Sequence, residues 1–132
     1  MKIVNFAEMN SELNRFVAEI RDIHIQQDRL RFRKNLERIG EVMSYEISKD
    51  FRYSEKLVTT PLGTARVNTA DDKIVIGTIL RAGIPYHQGF LNYFDRAENA
   101  FVSAYRKYKD KLNFEIFIEY IASPRIDGKI LI

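Results

Sequence analysis

Apolar residues recur at spacings of three and four near the start of the chain. Leu13, Phe16, Val17, Ile20 and Ile23 share one side of a helical wheel, which predicts an amphipathic helix over residues 10–27. Asn10 or Ser11 suits its start, because a short polar side chain can satisfy first-turn amides. A second stripe of Leu36, Ile39, Val42, Met43 and Ile47 predicts a helix over 28–49. Asp28 and Lys49 oppose the dipole charge at its two ends. The pattern then changes: Tyr53, Leu57 and Val58 precede a turn-like "TPLG", and Ala65 and Val67 follow it. Pro61 and Gly63 punctuate what reads as a hairpin arm.

Residues 74–80, "IVIGTIL", are almost continuously apolar, the pattern of a parallel strand buried on both faces. "PYHQGFLNYFDRAENA" predicts a helix from about Pro85 with Phe90, Leu91 and Phe94 inward, and residues 100–105 a short strand. Residues 114–121 alternate, with Phe114, Ile116, Ile118 and Tyr120 on one side, as a half-exposed strand does. Lys129–Ile132 starts a last strand, shorter than the usual five or six residues. The chain stops inside it, so the expectation is a fold truncated at its C-terminus. Helices, arm and strand–helix–strand together make an α/β protein. The expected organisation is one incomplete domain: a helical part over 1–50, an arm over 51–73, and the first part of an α/β core over 74–132.

Composition narrows the chemistry. A chain of 132 residues suits one domain, and the absence of cysteine excludes disulfides, thiol catalysis and thiolate metal sites. His24 and His87, the two histidines, are too few and too far apart to suggest a metal site, and read as packing or capping residues. No apolar run approaches the ~18 residues of a membrane span, and the N-terminus turns polar too early for a signal peptide. The expectation is a cytoplasmic protein without membrane contact. Asp71–Asp72 reads as a solvated corner. Arg29, Arg31, Arg33 and Lys34 around Phe32 form a patch of the kind RNA uses. One turn of charge is more often solvated, however, so nucleic acid is not an expected partner. Lys107, Lys109 and Lys111 read as a solvated basic loop.

The segment after the apolar strand carries the chemical signal. In open α/β sheets, ligands gather beyond the carboxyl ends of the strands. Arg81 stands at such an end, followed by Ala82 and Gly83, which have no bulk to hold an anion off the backbone. The helix opening near Pro85 offers its free first-turn amides. Arg81 is then either a phosphate ligand or the partner of a carboxylate or helix end, the latter being common. Arg106 repeats the arrangement at the end of the 100–105 strand. Adjacent strands lie ~4.8 Å apart, so two arginines on one edge can converge on a polyanion.

The stretch "ILRAGIPYHQGFLNYFDRAENAFVSAYRKY" resembles the central segment of uracil phosphoribosyltransferases, which carry I-[LF]-R-A-G at the end of a core strand. The similarity runs upstream through "RFRKNLERIGEVMSYEIS" and "TPLGTARVNTADDKIVI" and downstream through "IEYIASPRIDGKILI". The resemblance implies a type I phosphoribosyltransferase-like fold, a parallel sheet flanked by helices, with N-terminal helices and a β-hairpin arm. It implies transfer from 5-phosphoribosyl 1-diphosphate to uracil, giving UMP and diphosphate, with magnesium on the sugar diphosphate. It assigns substrate binding to Arg81, Ala82, Gly83 and Arg106, and a homodimer to the 51–73 arm. It assigns no catalytic residue and no protein metal ligand.

Two departures stand out. Family members follow the strand matching "KILI" with D-P-M-L-A-T-G, which cradles the ribose 5-phosphate, and this sequence does not contain it. Many also carry E-x-T after the second arginine, where this chain has "KYKDK". The expectation is about the first half of such an enzyme, inactive alone. The alternatives are an RNA-binding regulator on the same fold and a non-catalytic, dimerising remnant.

Overall fold

A computed structural model of the chain describes residues 3–108 and 113–132. A short 3-10 turn, Phe6–Glu8, precedes α1 (Leu13–Arg21). The sequence pattern continues to residue 27, but the helix stops at Asp22, whose backbone is extended at ψ 122°. The Asp22 carboxylate accepts the amides of His24 and Ile25, forming an Asx turn that competes with another helical turn. Ile23 therefore leaves the buried stripe and is 66% exposed.

Helix α2 (Arg29–Ser48) begins as expected, with the Asp28 carboxylate accepting the amides of Leu30 and Arg31. Its innermost positions are Asn35, Ile39, Gly40, Ser44 and Ser48 rather than the whole large-residue stripe. The cause is α3 (Ile84–Tyr93), which approaches so closely that a Cβ on Gly40 would lie 2.6 Å from the Tyr86 carbonyl oxygen. Small residues line that seam, and Leu36, Val42, Met43 and Ile47 flank it half-buried.

The arm is an antiparallel pair, β1 (Tyr53–Thr60) and β2 (Gly63–Ala70), in register from Tyr53↔Ala70 to Thr60↔Gly63. Gly63 closes the turn at φ +127°, a conformation that disfavours side chains. At the root, Asp72 accepts the Arg52 amide at 2.9 Å and its guanidinium at 3.1 Å, while Asp71 holds Ser54 and Lys56. The expected solvated corner is thus a clamp, with the Asp72 side chain only 4% exposed.

The core sheet has the order β5-β4-β3-β6, with β3 (Ile74–Leu80) parallel to β4 (Glu98–Tyr108) and to β6 (Ile130–Leu131). β5 (Phe114–Ala122) joins β4 antiparallel, which makes the sheet mixed. Two expectations change here. Val75 and Ile76 are buried, but Ile79 is 62% exposed, so β3 is not covered along its whole length. β5 is exposed on both faces except at Ala122, rather than alternating. Helix α3 lies against one side of the sheet, and no described element covers the opposite surface formed by Gly77, Ile79, Val102, Ile121 and Leu131.

Candidate functional site

The Arg81–Ala82–Gly83 loop connects the carboxyl end of β3 to α3, and the Leu80–Arg81 peptide bond is cis. The loop folds back on its own strand: the Gly83 amide donates to the Ile79 carbonyl at 3.2 Å. A Cβ on Gly83 would lie 2.1 Å from Thr78 Oγ1 and 2.9 Å from the Ile79 carbonyl oxygen, so only glycine fits this turn. The Ile84 amide donates to the Arg81 carbonyl and the His87 amide to the Gly83 carbonyl. Pro85 has no amide to satisfy. Among the described residues, the amides of Arg81, Ala82 and Tyr86 find no acceptor. Unpaired amides in and next to the first turn of a helix favour an anion.

Arg81 and Ala82 are exposed at this edge. Among the described residues no carboxylate pairs with Arg81. The structural ion pair that the sequence left open is therefore not what Arg81 makes here.

Arg106 sits differently from its expected place at a strand end. β4 continues to Tyr108 because β5 pairs with it, so Arg106 is internal to the strand and faces Ile116 across the ladder. Leu80 pairs with Ser103, so Arg106 extends beyond the end of β3 in the direction of the loop. Its guanidinium lies 4.8 Å from the Phe114 ring centre, on the strand farther from β3. Both arginines are exposed at the same end of the parallel pair, but no contact joins them. Lys107 is likewise exposed, over the Phe117 ring, while Lys109 and Lys111 lie outside the described residues.

Sequence reasoning missed the polar group behind the loop. His87 is buried, and its Nε2 is 2.7 Å from Asn99 Oδ1 on β4. The signal was available in its spacing of three and four from the inward Phe90 and Leu91, which puts His87 on the same helical face. Next to it, the Tyr86 hydroxyl donates to Met43 Sδ, and burial pushes its phenol above the ordinary value.

Elsewhere, the basic run at 29–34 is partly neutralised: Arg31 pairs with Glu19 and Asp28, and Lys34 with Glu37. A cavity of about 410 Å³ lies at the arm root, between Phe51, Tyr53, Asp72, Tyr93 and Phe94. It adjoins the amino end of β3, away from Arg81, on the side where α/β sheets do not ordinarily bind ligands. No described helix is long and apolar enough to cross a membrane.

Comparison with known proteins gives a consistent picture. A family profile described as uracil phosphoribosyltransferase matches residues 9–124. The chain is 63% identical over all 132 residues to a uracil phosphoribosyltransferase of Porphyromonas gingivalis, of which it spans 61%. It is 40% identical over 103 residues to one from Methanothermobacter thermautotrophicus, covering 76% of this chain and 47% of that protein. The solved structure of the AQ2163 protein from Aquifex aeolicus superposes with a TM-score of 0.75 at 31% identity, covering 90% of this chain and 55% of that one.

Proposed function

The chain belongs to the uracil phosphoribosyltransferase family, and from that premise we propose that its Arg81–Ala82–Gly83 loop binds the diphosphate of 5-phosphoribosyl 1-diphosphate. The reaction joins uracil N1 to C1 of the ribose as the C1–O bond to diphosphate breaks, giving UMP and diphosphate and releasing the N1 proton. Negative charge gathers on the departing diphosphate, where preorganised donors are most effective. The carrying observation is that the exposed Arg81 side chain at the carboxyl end of β3, like the amides of Arg81, Ala82 and Tyr86, has no partner among the described residues. Its planar fork can meet two diphosphate oxygens together. Arg106 supplies the second positive charge from β4.

Among the described residues, no three His, Cys, Asp or Glu side chains gather where an ion could be held. Magnesium arrives on the sugar diphosphate as part of the substrate, where it offsets the phosphate charge.

The 132 residues supply one wall of this site and do not turn over alone. The sheet surface at Ile79, Ile121 and Leu131 is open to water, whereas transfer depends on holding both reactants in one orientation. The curated relatives above are longer than this chain. Incubation with labelled uracil, magnesium and 5-phosphoribosyl 1-diphosphate is expected to yield no UMP; appearance of UMP overturns the inactivity.

The arm is the dimer element. An isolated two-stranded hairpin is marginal in water, and this one displays Leu57, Val58, Leu62 and Val67 to solvent. A second copy lying along the arm covers those side chains.

A further inference from the structure

We infer that His87 is the positioning residue of the Arg81–Gly83 loop, its hydrogen bond to Asn99 setting where the loop stands relative to β4. The inference rests on reading that loop as the diphosphate site.

His87 links three parts of the structure. Its amide donates to the Gly83 carbonyl at 2.9 Å and so closes the loop. Its ring packs 5.2 Å from that of Phe101 on β4. Its Nε2 meets Asn99 Oδ1 at 2.7 Å, the one side-chain hydrogen bond between α3 and β4 among the described residues. Nδ1 is buried without a partner. Among the described residues, the Asn99 contact is therefore the only polar constraint on the ring's orientation.

A residue needed only for packing could be leucine or methionine, which would avoid the cost of burying a half-satisfied imidazole. What the imidazole adds is direction. On its other flank α3 is held against α2 by the Gly40–Gly89 seam. The His87–Asn99 bond fixes the remaining freedom of the helix against the strand that carries Arg106. Small displacements of such a site reduce the benefit of its aligned donors.

The test is a titration of the ¹⁵N-labelled chain with inorganic diphosphate, following the amides of Arg81, Ala82 and Gly83 by NMR. The wild type is expected to show saturable shifts. His87→Ala and Asn99→Ala are expected to weaken diphosphate about tenfold, on the order of one hydrogen bond. His87→Gln, which can still donate from Nε2, should restore most of the affinity. Phe90→Leu, a core change on the same helix, should leave it unchanged. Should His87→Ala fail to fold, Asn99→Ala carries the test, because it removes the hydrogen bond and leaves the imidazole to fill its volume. Wild-type affinity in the folded His87 and Asn99 variants overturns the positioning role. An equal loss in Phe90→Leu reduces His87 to packing and overturns it too. Absence of saturable shifts in the wild type overturns the diphosphate reading itself, and this inference with it.

Discussion

Gly89 on α3 lies so close to Glu37 on α2 that a Cβ at position 89 would fall 2.0 Å from the Glu37 carbonyl oxygen. Backbone meets backbone here, so no side chain can swing aside. Gly89→Ala is expected to lower unfolding stability by about 1–3 kcal/mol through overpacking. Denaturant titration measures it, and an unchanged midpoint would show that the seam is not tight.

The arm root makes a second prediction. Asp72 receives both the amide and the guanidinium of Arg52, which fixes the direction in which the hairpin leaves the core. Asp72→Asn keeps the shape but removes the charge, and Leu57→Glu places a charge on the 69% exposed apolar side chain. For the proposed arm-mediated dimer, both substitutions are expected to shift sedimentation toward monomer. Unaltered dimers in both would remove the arm from the interface.

Acid sensitivity follows from two carboxylates between the helices. A hydrogen bond from Asn35, then one from Arg15, holds the Glu19 carboxyl below its ordinary 4.5. Lys34, then Asn92, does the same for Glu37. A carboxyl that ionises more readily when folded stabilises the fold above its unfolded pKa. That stabilisation is lost as pH falls from about 4.5 through the lower folded value. Stability should therefore drop on acidification in this window, and Glu19→Gln should flatten the drop. A drop of equal size in that variant would place the acid sensitivity elsewhere.

Much of the scaffold is legible from local pattern. The apolar run fixes β3 at 74–80, Asp28 marks the start of α2, and Pro61 and Gly63 mark the turn of the arm. The loop after β3 is also legible, because a strand end, two small residues and a helix start are all local features. The misses came from contacts remote in sequence or from side chains rewriting the backbone. Asp22 ends α1 by capturing two amides, against a continuing apolar stripe. Asp72 becomes a clamp only because Arg52 stands across the arm root, twenty positions away. His87 gains its partner from β4, and Arg106 becomes internal to a strand because β5 pairs beyond it. The openness of β5 could not be read from alternation, which says which residues share a face but not what covers it.

The most direct test of the diphosphate site is calorimetric titration of the chain with magnesium 5-phosphoribosyl 1-diphosphate, comparing wild type with Arg81→Ala. Loss of one charge-assisted contact is worth ~1.5–3 kcal/mol, so the variant is expected to bind at least about tenfold more weakly. Equal affinity in the two proteins would contradict the account, because the ligand would then be held somewhere other than the end of β3.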